Sequence, residues 1–295
     1  MNRAARTGAL LVLAVCAPIA AQDFSRVRLD ILGKGYTFTE GAAWSKDGYL
    51  VFSDTPGGII VKWTPGHLLE LLRKDVAGPR GNAFDGDGRL YTCETRARRV
   101  TRMDKTGKIE ILAAAWEGKR LNGPSHIAVT RNGNAYFTDP AFGSEADHRE
   151  LDFYGVYRIP PHGDVKLVAK TATRPNGIAL SPNGRTLYVG NTDERNIRAY
   201  DLDHGGDAAG ERVLVAAVEG VPGGMTVDEK GNLYVAAGKG IAVYSPEGRL
   251  IQTIPMHSVP SSCAFAEADL KTLIVTMRGE VYRVRQDTGA EADGH

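Results

Sequence analysis

Lys46-Asp-Gly48-Tyr-Leu-Val-Phe-Ser-Asp54 and Gly86-Asp-Gly88-Arg-Leu-Tyr-Thr-Cys-Glu94 carry the signal that decides the fold. In each, an Asp-Gly turn opens a hairpin, because glycine tolerates the positive φ the turn demands. A run of aromatic, β-branched and aliphatic residues then leaves the turn as a strand. The pattern returns at Arg131-Asn-Gly133-Asn-Ala-Tyr-Phe-Thr-Asp139, Pro182-Asn-Gly184-Arg-Thr-Leu-Tyr-Val-Gly-Asn191 and Glu229-Lys-Gly231-Asn-Leu-Tyr-Val-Ala-Ala237. A sixth copy, Asp269-Leu-Lys271-Thr-Leu-Ile-Val-Thr-Met277, lacks the glycine. The five turn glycines lie 40, 45, 51 and 47 residues apart.

A short apolar strand precedes each run, as in Gly177-Ile-Ala-Leu-Ser181, and another follows, as in Ile60-Val-Lys-Trp63 or Val156-Tyr-Arg-Ile159. Four short strands per unit of about 40–50 residues, six times over, predict an all-β, six-bladed β-propeller. Helical repeats fit badly, since no stretch beyond the leader keeps a 3.6-residue period for three turns. The sixth unit has room for only three strands, and Val27-Arg-Leu-Asp-Ile-Leu32 is expected to supply the fourth, closing the ring with an N-terminal strand. Residues 22–285 therefore read as a single propeller domain, with residues 286–295 as a flexible acidic tail.

Composition sets the remaining bounds. Glycine, 35 of 295 residues, is enriched at about 12% against a usual ~7%, but without the strict three-residue period of collagen. A formal charge of +1 gives no bulk electrostatic reason to expect nucleic acid as a partner. Residues 1–21 combine Arg3 and Arg6 with an apolar run from Ala9 to Ala20 and a small-residue exit at Ala20-Ala21. That is the layout of a secretory signal peptide, and the apolar run is shorter than the ~20 residues of a membrane span. The expected setting is periplasmic or secreted, with no integral membrane segment after cleavage. Cys93 and Cys263 then remain, and both are expected as buried thiols rather than as a disulfide.

The repeat also locates a candidate site. The first strand of each blade lines the central channel, so counting eight residues back from each turn glycine gives the ring Glu40, Arg80, Ser125, Asn176 and Gly223. Ser261 or Ser262 completes it, one residue uncertain in register. Glu40 and Asn176 facing each other across a narrow channel need a shared partner. Their hard oxygens suit Ca²⁺ first, with Mg²⁺, Mn²⁺ or Zn²⁺ as alternatives. Arg80 is placed to pair with Glu40 instead. Counting forward gives a second ring, Asp54, Glu94, Asp139, Asn191, Ala237 and Met277, whose acids are expected to cap the following loops. No Gly-x-Ser-x-Gly, His-Glu-x-x-His, Cys-x-x-Cys or phosphate-loop motif is present. Of the histidines only His126 adjoins the ring, and it is expected as a wall residue.

Thr39-Glu40-Gly-Ala-Ala-Trp44, Gly118-Lys-Arg-Leu-Asn122, Tyr136-Phe-Thr-Asp-Pro140, Gly155-Val-Tyr157 and Arg174-Pro-Asn-Gly-Ile-Ala-Leu-Ser-Pro182 resemble the gluconolactonase/regucalcin (senescence marker protein) family, from about residue 36 to 285. The resemblance implies a six-bladed propeller with one divalent metal on its axis, held by Glu, two Asn and Asp, and hydrolysis of a sugar lactone. The Glu falls on Glu40 and one Asn on Asn176. The usual Pro-Asn-Asp is here Pro124-Ser125-His126, and the usual Pro-Asp-Gly-Met is Pro222-Gly223-Gly224-Met225. Ser125 is thus a doubtful metal ligand, Arg80, Ser125 and His126 are substrate-binding candidates, and the position of the usual general base is Gly223. Two readings follow. One is an exported, metal-dependent, lactonase-like hydrolase of a sugar lactone or similar cyclic ester, with His126 as a substitute base. The other is a catalytically silent propeller that binds a small polar ligand or a protein at the channel mouth.

Overall fold

The computed structural model describes Phe24, residues 26–267 and residues 272–286. The expected signal peptide, the turn of the sixth repeat and the acidic tail beyond Gln286 lie outside the described residues, while Gln286 itself ends a strand and not a tail. Six four-stranded antiparallel sheets follow one another along the chain. Their innermost strands are Thr39–Ser45, Pro79–Phe84, Ile127–Val129, Pro175–Leu180, Met225–Val227 and Ser262–Ala266. The quoted runs form the second strands, Tyr49–Asp54, Leu90–Glu94, Ala135–Asp139, Thr186–Asn191, Leu233–Ala237 and Thr272–Met277. These central strands are nearly continuously buried, since each sheet packs on both faces against neighbouring blades.

Val27–Lys34 pairs antiparallel with Glu280–Gln286 and completes the sixth sheet. The closure is reinforced where the Thr39 amide and hydroxyl donate to the Arg278 carbonyl and the hydroxyl also reaches that of Glu280. Two features stand outside the repeat: a small hairpin at Ala115–Trp116 and Lys119–Arg120, and a 3₁₀ turn at Gly143–His148 between strands of the third blade. Cys93 and Cys263 are buried free thiols. Burial pushes both up, Cys263 to about 12.

The inner strands meet backbone to backbone. A Cβ at Gly41 would overlap the Arg80 carbonyl, one at Gly81 would lie 2.7 Å from His126 Cα, and one at Gly177 would overlap the Gly223 carbonyl. The glycine after each of these ring positions therefore lets the next blade approach the axis. Gly177→Ala should lower stability by roughly 2–3 kcal/mol or more through overpacking against a backbone atom. Urea unfolding reads this directly, and an unchanged midpoint would show that blades four and five have room between them.

Candidate functional site at the channel mouth

Three inner strands are interrupted at the ring. The pairing register shifts between Glu40 and Ala43, between Pro79 and Asn82, and between Pro175 and Ile178. Each shift is a bulge that re-aims a side chain, here Glu40, Arg80 and Asn176. In the third and fifth blades the ring residue precedes the regular strand, and two residues stand against one of the second strand: Ser125 and His126 both bond to Thr138, Gly223 and Gly224 both to Ala236. The Ser261 carbonyl accepts from the Gly224 amide, as the Ser125 carbonyl does from Gly81. That equivalence sets the sixth ring position at Ser261.

Glu40, only 3% exposed, is gripped at both oxygens by Arg80. Nε lies 2.7 Å from Oε2 and Nη2 3.0 Å from Oε1. Burial opposes the charge on Glu40, yet the adjacent guanidinium outweighs it and holds the carboxyl below its ordinary value. Burial likewise works against the Arg80 cation, and Glu40 more than compensates. Arg80 also packs over the Phe142 ring, 5.1 Å from its centre, and Arg174 lies 5.3 Å from the same ring. Ala141, at φ 72°, turns the chain that delivers Phe142 to this position. Arg174 is itself held by Asp193.

His126 leaves the wall of the third blade and crosses the axis. Its Nε2 is 3.5 Å from Glu40 Oε1, a contact between blades three and one. The same nitrogen is 3.0 Å from where a Cβ on Gly224 of the fifth blade would stand. His126 is 5% exposed, and Nε2 has no hydrogen-bond partner among the described residues. Burial lowers its pKa below 6.5, Arg80 adds to this and Glu40 opposes it, so the ring is neutral at pH 7. On its other side Nδ1 lies 3.2 Å from Ser125 Oγ. The Ser125 hydroxyl donates to Asn176 Oδ1 at 3.0 Å, and Asn176 Nδ2 donates to the Pro222 carbonyl at 3.1 Å.

The ring expected from the repeat therefore assembles, but as a self-paired network. A divalent cation would need the carboxylate oxygens that Arg80 holds and the amide oxygen that Ser125 addresses. It would stand beside a buried guanidinium with one carboxylate to offset both charges. The residues as arranged do not fit such a metal at Glu40, Asn176 and Ser125. The polar members of the second ring are spent on protein partners, but the acids do not chiefly cap the following loops as expected. Asp54 and Asp139 hold mainly segments that precede their strands, and Glu94 holds side chains of neighbouring strands. Asp54 accepts from the Thr37 and Phe38 amides, and Asn191 from those of Asp193 and Glu194. Asp139 accepts from Asn122 and Gly123, both at 2.7 Å. Burial pushes Asp139 up to about 6 despite those two amides. Glu94 is enclosed by Arg73, Arg99 and Thr101. A surface cavity of about 570 Å³, lined by Tyr36, His257, Ser258 and Arg278 among others, includes Met277 of the second ring but none of the side chains of the first.

Sequence reasoning missed the axial placement of His126 and the part played by Phe142. The available signal for the first was Gly223-Gly224, two residues without side chains that leave an imidazole room on the far wall. Gly223 itself is closed to an acid, since a Cβ there would lie 2.5 Å from the Ser261 carbonyl oxygen. Gly223→Asp should accordingly lower the urea midpoint, with a loss of about 1–3 kcal/mol. A midpoint equal to wild type would show that the backbone yields and that the position accepts a carboxylate.

Comparison with known proteins agrees with the fold. Residues 38–279 match the SMP-30/Gluconolactonase/LRE-like region. A gluconolactonase from Zymomonas mobilis is 31% identical, the alignment covering 88% of this chain and 82% of that protein. A pentonolactonase from Haloferax volcanii is 30% identical over 81% of each. The solved structure of a gluconolactonase from Xanthomonas campestris superimposes with a TM-score of 0.82 at 32% identity, over 88% of this chain and 89% of that one. The six blades, the family match over residues 38–279 and these relatives together make the chain a member of the SMP-30/gluconolactonase/LRE-like family.

Proposed function

We propose that the chain is a lactonase-like hydrolase that opens a sugar lactone or similar cyclic ester at the channel mouth. The observation that carries this reading is the buried, unpartnered Nε2 of His126 beside the Glu40–Arg80 pair. A neutral imidazole nitrogen is an acceptor for a proton of water. Arg80 spends Nε and Nη2 on Glu40, which leaves Nη1 to address a ligand oxygen.

The steps balance without a further reagent. Water gives a proton to His126 as its oxygen bonds to the carbonyl carbon, and Arg80 stabilises the developing oxyanion. Glu40 faces the imidazolium formed and favours it electrostatically. Collapse of the intermediate breaks the ring C–O bond, and the alkoxide takes the proton back from His126. The product is an open hydroxy acid, which ionises near Arg80. Support for the substrate class comes from relatives that are gluconolactonase and pentonolactonase. The leader-like residues 1–21 support export to a periplasmic or secreted setting.

The silent-propeller reading keeps one specific observation in its favour: position 223 holds no acid, and the backbone there leaves no space for one. Hydrolysis of a panel of five- and six-membered sugar lactones, followed by acid release in EDTA, separates the two. Turnover is expected, with kcat/KM rising through an ionisation below pH 6.5 and flat above it, because protonated His126 cannot act as the base. His126→Gln should cut kcat by about 10²–10⁴ with little change in KM. Absence of turnover across the panel leaves the silent binder. An unaltered kcat in His126→Gln moves the base elsewhere.

A further inference from the structure

We infer that Arg80 is the resident cation of this channel, and that the site works without a divalent metal and excludes one. The inference deepens the hydrolase reading by naming what polarises the ligand, and its test does not depend on turnover.

Four observations converge. The first is the two-point grip on Glu40, which takes both oxygens of the one carboxylate in the ring. Planar guanidinium and carboxylate match in this geometry, and a strongly hydrated metal ion would have to break both bonds to enter. Second, Arg80 is supported from behind by Phe142, which the left-handed turn at Ala141 presents to it. A guanidinium stacked on a ring and forked to a carboxylate has little freedom to swing aside. Third, Asn176 is oriented by the Pro222 carbonyl, and its oxygen is taken up by Ser125. Fourth, the place opposite holds Gly223 and Gly224, with the His126 imidazole directed at the latter. The ring therefore holds one buried anion and one buried cation. A ligand suited to it is uncharged or anionic, carrying a carbonyl or carboxylate oxygen toward Arg80, and it needs no bridging ion.

The inference predicts the consequence of removing the guanidinium. Arg80→Asn leaves Glu40 buried and unpaired, beside two amides and the Ser125 hydroxyl, an oxygen set that does suit a hard cation. Metal content by elemental analysis, after gel filtration from Ca²⁺, Mn²⁺ or Zn²⁺, is measured alongside the thermal midpoint with metal and with EDTA. Wild type should carry far less than one equivalent of any of the three, with the same midpoint in either condition. Arg80→Asn should unfold at lower temperature and regain several degrees with Ca²⁺ or Mn²⁺, since binding to the folded state stabilises it. Arg80→Asn/Glu40→Gln should show no metal response. One equivalent of metal in wild type that is lost in Glu40→Gln overturns the inference, as does a midpoint that falls on chelation. An Arg80→Asn protein that folds and ignores metal overturns it too. Lactone turnover in EDTA reads the hydrolase proposal separately.

Discussion

The structure depends on how closely six first strands can crowd one axis. Antiparallel blades supply their own hydrogen bonds, but the inner strands of different blades meet without a shared ladder. They are held by single contacts such as the Gly81 amide on the Ser125 carbonyl and the Gly224 amide on that of Ser261. Side chains would keep these backbones apart. Gly41, Gly81, Gly177 and Gly224 each stand one residue past a ring position for that reason. The same crowding dries the channel, and in a dry channel every polar group must find a partner.

That requirement accounts for the chemistry of the mouth. A lone Glu40 could not stay charged at this depth, and Arg80 reaches it from the adjacent blade. Ser125, Asn176 and Pro222 form a second chain of contacts linking blades three, four and five. His126, the group that spans the axis, has at Nε2 a buried polar atom with no protein hydrogen-bond partner among the described residues. Stability and reactivity are thus divided among neighbours: Glu40, Ser125 and Asn176 are taken up by protein partners, while His126 Nε2 is left to a ligand.

Much of this was legible in the chain. The turn glycines at 48, 88, 133, 184 and 231 form a ruler, and once the repeat had been read as a propeller a count of eight residues back reached Glu40, Arg80, Ser125 and Asn176. The ruler works because a hairpin fixes the register of its two strands. It loses a residue in the sixth blade, where Lys271 replaces the turn glycine, and Ser261 was separable from Ser262 only by its carbonyl contact. His126 escaped because alternation predicts opposite faces for neighbours within a strand, and Ser125 and His126 precede the strand that begins at Ile127. The Arg80–Phe142 stack escaped because Phe142 belongs to a loop whose path is set by Ala141, a residue with no turn signature.

The closure by Val27–Lys34 has a bearing on how the chain is made. The first described strand pairs with the last described one, Glu280–Gln286, so the blades between them must all exist before either edge is covered. Contacts of such sequence separation form late and make folding slow. Until then blade six presents an unpaired edge, the kind of surface that recruits other strands and draws chaperones. A chain cut short near its C-terminus would lose that clasp together with the Thr39 contacts to Arg278 and Glu280. The strand that completes the sixth blade is thereby also the latch of the ring, which stays open until that strand docks.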